Sequence, residues 1–234
     1  MAYWQTIDLF FLIVIYLFLD IIKVNHLVNK GGSQMVNSRT FVAKTKDISL
    51  TVRRDDSFSI SYINCEKNIL KIEENQYGIK IFQTEKVSAL NWLRWLTKGI
   101  PEVIVTLPGN IDVCEIDAES NQVLVTDIKI DKVYAEVHNG KVEARNVKAN
   151  DIFLKCLNGS AVVKNVEVDN ICTVDTLNGI SVLEGTISKD AGIEVACEHG
   201  IVEVSDENKA NLSYKKEGCA HYVVHCLNGK AVVR

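Results

Sequence analysis

Proline, methionine and aromatic residues are scarce in this chain of 234 residues, which has two prolines, two methionines and 7% aromatic residues. Basic residues are not in excess, since 26 Lys and Arg face 30 Asp and Glu and the formal net charge is −4. Binding to duplex nucleic acid would need a strong local basic patch, so we expect no nucleic-acid partner. Apolar residues make up 47% of the chain, which excludes a disordered or low-complexity protein.

No C-x-x-C pair occurs among the seven cysteines, and their number is odd. A secreted disulfide scaffold normally has an even number in a shorter chain, so we expect free thiols in a reducing compartment, used as small core residues. One segment, Cys219–Cys226, combines two Cys with two His. On a strand, His221 and His225 would lie about 13 Å apart, too far to share one zinc ion. We therefore predict no metal and no cofactor.

An apolar segment near the N-terminus, residues 7–22, is preceded by no Lys or Arg and contains two aspartates. It is slightly shorter than the roughly 20 residues of a membrane-spanning helix. Lysines and arginines follow it, so the positive-inside rule predicts a single-pass anchor with the rest of the chain facing the cytoplasm. A ribosome-binding sequence followed by a start codon can encode Lys30–Met35. There are thus two alternatives for residues 1–34. They contain this membrane anchor, or the start is mis-assigned, translation begins at Met35 and the protein is cytoplasmic.

A two-residue motif, Asn-Gly or His-Gly, recurs through the second half at intervals of 19, 20, 21 and 29 residues. These predicted corners are Asn139 and Gly140, Asn158 and Gly159, Asn178 and Gly179, His199 and Gly200, and Asn228 and Gly229. Asn and Gly tolerate positive φ, which suits a tight corner between strands. One stretch is nearly duplicated, because CLNGSAVVK at 156–164 matches CLNGKAVVR at 226–234.

Apolar residues alternate with polar ones on both sides of each corner, with period two. Five residues after the Asn or His stand Ala144, Val163, Leu183, Val204 and Val233. This pattern predicts strands with one buried face. Asn-Gly is also typical of antiparallel hairpins, so a meander is the alternative. The constant repeat favours an all-β fold: a parallel, single-chain β-solenoid of about 20 residues per coil, each coil pairing with its predecessor. A degenerate coil, with Gln122 in place of the glycine, is expected at Ile111–Ile130.

The region before the repeats, residues 35–100, is predicted to be a small strand-rich module that caps or begins the solenoid of residues 101–234. A helix-like stretch within it, Val87–Lys98, contains Trp92 and Trp95. We expect this stretch to cover an apolar edge of the module. The alternative is that its tryptophans contact a membrane interface or a protein partner.

The segment Val103–Gly109, VIVTLPG, followed by repeats that contain Asn-Gly, resembles a bacterial β-strand-repeat family called "putative adhesin", a domain of unknown function. The resemblance covers roughly residues 40–234. It implies a β-solenoid and an exterior location. It implies no catalytic residues, because its signature is a pattern of strands, turns and glycines.

Several outward positions after the corners are apolar, namely Val162, Ile180, Val182 and Ile201. Such a patch indicates either a protein partner or a cover supplied by the N-terminal module or by the insertion Asp206–Cys219. The sequence stops directly after a strand at Arg234, which leaves the final coil uncapped and favours end-to-end self-association.

Two outward carboxylates, Glu136 and Asp175, would lie two coils or about 10 Å apart, with Lys155 between them. That separation is beyond the roughly 6.5–9.5 Å of an inverting glycosidase. We therefore predict no enzyme and no catalytic residues. The predicted function is a non-catalytic binding or scaffold module at the cell envelope, which binds a protein partner or self-assembles through its walls and ends. The alternatives are a secreted or surface adhesin and a carbohydrate-active solenoid enzyme.

Overall fold

In a computed structural model of the chain, residues 38–86, 99–185, 187, 191–204 and 220–234 are described with their side chains, and residues 207–210 and 214–216 by their backbone. Within these residues the chain forms thirteen strands and one short 3-10 helix, Lys67–Ile69, which confirms the all-β prediction. The strands are β1 Thr40–Thr45, β2 Ser49–Arg54, β3 Ser59–Ile63, β4 Leu70–Asn75, β5 Gly78–Gln83, β6 Glu102–Leu107, β7 Val113–Lys129, β8 Lys132–Lys164, β9 Glu167–Glu184, β10 Gly192–Val204, β11 Glu207–Ala210, β12 Tyr214–Lys216 and β13 His221–Val233.

The long strands pair in parallel and in register, so that each repeat lies beside another at equivalent positions. β7 pairs with β8 from Val113 opposite Lys132 onward, and β8 pairs with β9. We call one such repeat, with a strand arm on each side of its corner, a rung; β8 contains two rungs. The predicted column of inward residues aligns, with Leu183 between Val163 and Val233. The parallel direction therefore agrees with the prediction, and the antiparallel meander is wrong for these strands.

The corner glycines are required by backbone contact between rungs. At Gly159 φ is +135°, and an added Cβ would lie 1.9 Å from the carbonyl oxygen of Gly140. No side chain fits at that distance. With this backbone conformation, the corner position next to the preceding rung therefore accepts only glycine. In the preceding rung Asn121, with φ of 75°, takes the position opposite Gly140. The prediction that Gln122 replaces the glycine is wrong by one residue.

The strands before the repeats belong to the same sheet as the repeats. β1 and β2 pair in parallel with the two arms of β7 and so form one rung. β5 pairs with β1 and β6 pairs with β2, which forms a further rung beyond it. Two antiparallel strands follow on the outside, β4 against β5 and β3 against β6. This end of the parallel ladder is therefore closed by strands of opposite direction, a recognised way to protect a sheet edge.

The C-terminal strand lies inside the sheet rather than at its end. β13 pairs in parallel with β9 on one side and with β10 on the other, so the order is β9, β13, β10. The outer side of β10 pairs with the antiparallel strands β11 and β12. Two expectations are thereby corrected. Not every coil lies on its predecessor in the sequence, and the final strand is not the uncapped end that would favour end-to-end assembly.

The interior is filled by the inward columns of all the described rungs, and nearly all of these side chains are less than a tenth exposed. Burial of each Val, Ile or Leu contributes on the order of 1.5–3 kcal/mol, so the columns dominate the stability of the ladder. Five of the six described free cysteines are buried, as expected of small core residues. Burial raises the pKa of the Cys114 and Cys172 thiols, which keeps them protonated and unreactive.

Candidate functional site

The net charge of the parallel strands changes sign along the ladder, from β1 with β2 to β7, β8, β9, β13 and β10, and the two neighbouring rungs of β8 are both net basic. β1 and β2 together hold three basic and no acidic residues, and β7 holds four acidic residues and one lysine. β8 holds six basic and three acidic residues, and β9 holds four acidic and no basic ones. β13 has one lysine and no acidic residue, whereas β10 has three glutamates and no Lys or Arg. Opposite charges on neighbouring strands attract, so this order supports the observed sequence of rungs.

On the face before the corners, the charged side chains form ion pairs between rungs. Lys155 Nζ lies 3.3 Å from a carboxylate oxygen of Glu136. His225 Nδ1 lies 2.8 Å from Asp175 Oδ1, and its Nε2 lies 3.6 Å from Glu198 Oε1. The hydrogen bond to Asp175 raises the pKa of His225, against the opposing effect of burial. Glu136 and Asp175, the carboxylates considered for hydrolysis, are thus each held by a neighbouring cationic or imidazole group.

The face after the corners is also built from ion pairs. Glu143, whose side chain is fully buried, contacts both Lys141 and Arg145. Burial acts to raise the pKa of the Glu143 carboxyl, but the bonds from these two cations hold it below its ordinary value. A similar group joins three rungs, where Glu184 lies 3.1 Å from Lys164 and 3.5 Å from Arg234. The charges of this wall are therefore largely neutralised by one another.

The predicted partner surface on this face is not contiguous. Val162 and Val182 are in-register neighbours, but Val162 is only 7% exposed. Ile180 and Ile201 are each 44% exposed. They are separated by Lys230, because β13 lies between β9 and β10. The two isoleucines therefore do not touch, which the chain order alone could not reveal.

A row of leucines runs along the corner on three successive rungs, one residue before each Asn-Gly. Leu157, Leu177 and Leu227 occupy this position on β8, β9 and β13, and Leu177 is 41% exposed. We call these three residues, together with Ile180, the corner surface. The row was not predicted from the sequence. The repeat alignment contains the signal, but only the insertion of β13 makes Leu227 the neighbour of Leu177.

A ladder of asparagine side chains supports the corner surface. The amide of Asn158 donates to Asn139 at 3.0 Å, Asn178 donates to Asn158 at 2.9 Å, and Asn228 donates to Asn178 at 2.8 Å. The sulfur of Cys226 lies beneath the same corner, 3.4 Å from the carbonyl oxygen of Gly179. The backbone next to the leucines is thus held by hydrogen bonds between asparagine side chains on the outer side of the corner and by the cysteine sulfur on its inner side.

A shallow groove of about 410 Å³ lies on the far side of the ladder. Aspartates at a spacing of 19 residues line it, namely Asp112 and Asp131, with Asn150 and Asp169 continuing the row. Arg54 crosses the groove and donates to the carbonyl oxygens of Pro108 and Lys129. The row of aspartates follows from the repeat, and the arginine bridges two segments of the chain.

Several sequence predictions fall outside the described residues, namely the apolar segment 7–22, the tryptophans Trp92 and Trp95, and Cys219. Of the other residues in the rejected zinc segment, Cys226 is buried and His221 is exposed. In the described part of the chain, no group of three or more His, Cys, Asp or Glu side chains is placed to hold a metal ion.

Among the described residues, no helix combines the length and the apolar character that a bilayer span requires.

Comparison with known proteins gives distant structural similarities. No family model matches the chain, and no curated protein matches it. A "putative cell adhesion protein" from Clostridium sporogenes is 14% identical, with 84% of this chain and 92% of that chain covered and a TM-score of 0.48. A "putative adhesin" from Bacteroides fragilis is 6% identical, with 84% and 93% covered and a TM-score of 0.47. The similarity of this chain to both structures is distant.

Proposed function

We propose that the protein is a non-catalytic β-solenoid scaffold that binds a protein partner through its corner surface. The solenoid form is supported by the register: within β7, β8 and β9 each rung is joined by the chain to the rung beside it, at an offset of 19 or 20 residues. A chain that advances by one rung per repeat in this way winds about a common axis.

The leucine row is the observation that carries the proposed binding function. It places three large apolar side chains on adjacent rungs, about 4.8 Å apart, with Leu177 41% exposed at the centre and Leu157 and Leu227 half-buried on either side. A row of apolar residues that is partly open to solvent on a rigid wall is a candidate protein interaction site. Asp175 and His225, which lie close to the row on β9 and β13, already bind each other. A partner would therefore bury leucine side chains without having to leave these charges unpaired.

The first test is site-specific photo-crosslinking in the native cell. A photoreactive amino acid at Leu177 should give discrete adducts with one protein, because the side chain lies at the centre of the corner surface. The same group at Glu167, an exposed position on β9 away from the corner, serves as the matched control. Loss of the adduct on Leu227→Lys would show that the neighbouring leucine takes part. Equal labelling at Leu177 and Glu167 would contradict the proposal.

We further propose that the domain faces the cytoplasm, tethered to the membrane through residues 7–22 or soluble there if translation starts at Met35. The five buried cysteines are free thiols packed in the core, and free thiols are typical of a protein in a reducing location. Cell fractionation with protease added to intact cells tests this. Protection of the domain until the cells are lysed is expected, whereas cleavage by external protease would favour the secreted or surface adhesin.

A further inference from the structure

The C-terminal strand occupies a slot between two strands that precede it in the sequence. β13 forms twelve register pairs with β9 and twelve with β10. The corner of β13 also packs closely against both neighbouring corners. A Cβ on Gly229 would clash with the backbone of Gly179, and a Cβ on Gly200 would clash with the backbone of Gly229. If β13 left, β9 and β10 would each lose a complete parallel neighbour. The slot is therefore a binding site for one strand, at present filled by the chain's own residues 221–233.

The slot favours a basic strand. β9 carries four acidic residues and no basic ones, and β10 carries three acidic residues and no Lys or Arg. β13 supplies His225 between Asp175 and Glu198, and Lys230 beside Glu203. Arg234, which follows the strand, lies 3.5 Å from Glu184. Direct pairing of β9 with β10 would juxtapose two acidic strands, and like charges on neighbouring strands repel.

The contacts that hold β13 are made by side chains and backbone of residues 221–234 themselves. None of the register pairs, corner contacts and ion pairs named above depends on which molecule supplies the strand. An identical strand from a second copy would therefore restore all of them, which is the physical basis of strand exchange between identical chains.

We propose that the slot between β9 and β10 also accepts β13 from a second copy of this chain, which gives a strand-exchanged dimer. This inference goes beyond the proposed function, because the exchange site is the slot and not the corner surface. Release of β13 breaks the bridge made by His225. The exchange is accordingly faster at a pH where the imidazole is neutral, and slower under acidic conditions, where an imidazolium holds both carboxylates.

Two native cysteines report on the occupancy of the slot. Cys197 of β10 and Cys226 of β13 are register partners in adjacent parallel strands. Neighbouring strands lie roughly 4.7–4.9 Å apart, a separation that lies within the range spanned by disulfides. Oxidised glutathione can therefore join the two sulfurs: its own S–S bond breaks, the bond between Cys197 and Cys226 forms, and the two thiol protons pass to the two molecules of reduced glutathione.

The experiment mixes two full-length variants, both with Cys65→Ser and Cys219→Ser. One also carries Cys226→Ala and so keeps Cys197, and the other carries Cys197→Ala and keeps Cys226. Neither copy can form the 197–226 disulfide within itself, so a dimer joined by that disulfide requires β13 of one copy to lie beside β10 of the other. After incubation at pH 8.5 with oxidised glutathione, nonreducing electrophoresis and mass spectrometry should show this dimer.

The control mixture replaces the second variant by one that lacks both Cys197 and Cys226 but keeps Cys156, a buried thiol at the same corner position on β8. Circular dichroism and urea unfolding establish that all variants are folded. A 197–226 dimer yield at least tenfold above any 197–156 dimer supports the exchange. Equal yields, or dimers in size-exclusion chromatography from a mixture in which no 197–226 disulfide forms at all, would overturn it.

Discussion

The middle of the ladder and its two ends follow different rules. From β7 through β8 to β9, the order of rungs in the sheet is the order in the chain. At the N-terminal end the first rung in the chain, β1 with β2, lies between β7 and the rung of β5 and β6. At the other end the last strand, β13, lies between β9 and β10. Both extreme segments of the described chain are thus placed inside the sheet, and the outermost rungs are covered by antiparallel strands.

The difference shows that register and order are separate properties of a repeat protein. The rungs present similar but not identical inward columns, since β9 places the buried pair Thr176 and Ser181 where other rungs have apolar residues or cysteine. The order of rungs depends on what differs between them, and the outward charge is one such difference. The strongly acidic β9 and β10 are separated by β13, which carries no acidic residue. The three changes below test this distinction.

The largest effect is expected from Gly159→Ala in the middle of the ladder. The new methyl group would lie 1.9 Å from the carbonyl oxygen of Gly140, in the positive-φ region, so we expect a loss of about 4 kcal/mol or more and global unfolding. Gly200 lies on β10, the outermost repeat rung, and Gly200→Ala would place a methyl group at a similar distance from the carbonyl oxygen of Gly229 on β13. There we expect local loss of hydrogen-exchange protection in β10, with the middle rungs retained.

The matched control for both substitutions is Gly109→Ala, since nothing lies within 4 Å of that Cβ position. Its urea midpoint should stay close to that of the unmodified protein. Protection lost to the same extent across all rungs in Gly200→Ala would show that the end is not separable from the middle.

An intermediate effect is expected from the double change Lys230→Glu with Arg234→Glu. It makes β13 acidic between two acidic strands and turns the contacts with Glu203 and Glu184 into repulsions. These side chains are partly exposed, so we expect a loss of about 1–2 kcal/mol that added salt reduces. Urea unfolding at low and high ionic strength measures it.

Lys67→Glu reverses one exposed charge on the short 3-10 helix, away from the slot, and should change the free energy of unfolding by less than about 0.5 kcal/mol. The control reverses one charge and the double change reverses two. If the control lowered stability by half as much as the double change, net charge rather than the order of the rungs would be responsible.

The smallest effect is expected from pH at His225. Its pKa is raised in the folded state, mainly by the hydrogen bond to Asp175. A raised folded pKa gives stability that is fully present below the unfolded value of about 6.5 and is lost as the pH rises through the folded value. The free energy of unfolding should therefore decrease above about pH 6.5, and His225→Gln should remove this part of the decrease. Identical pH profiles for the two proteins would exclude the bridge as its cause.

Much of the local structure could be predicted from the repeat. Asn-Gly corners imply positive φ at the glycine, and alternation of apolar residues implies which side chains face inward. The inward columns of Ala144, Val163 and Leu183 were therefore correct. The candidate site was predicted only in part: Ile180 and Ile201 are exposed, but they are not neighbours, and Leu177 was overlooked. Neighbour relations across the sheet depend on the order of rungs, which the repeat leaves open.

By itself, the sequence determined the strands, their buried faces, the corners and the register of one repeat against another, because these depend on the period of two and on residues close in the chain. Only the tertiary structure decided which rungs are neighbours, where the ends are closed and which outward side chains meet. Those outcomes depend on contacts between segments far apart in sequence, such as the bridge of His225 to Asp175, 50 residues away. The inward columns are too similar to fix the order of the rungs by their repeat alone, so such contacts contribute to it.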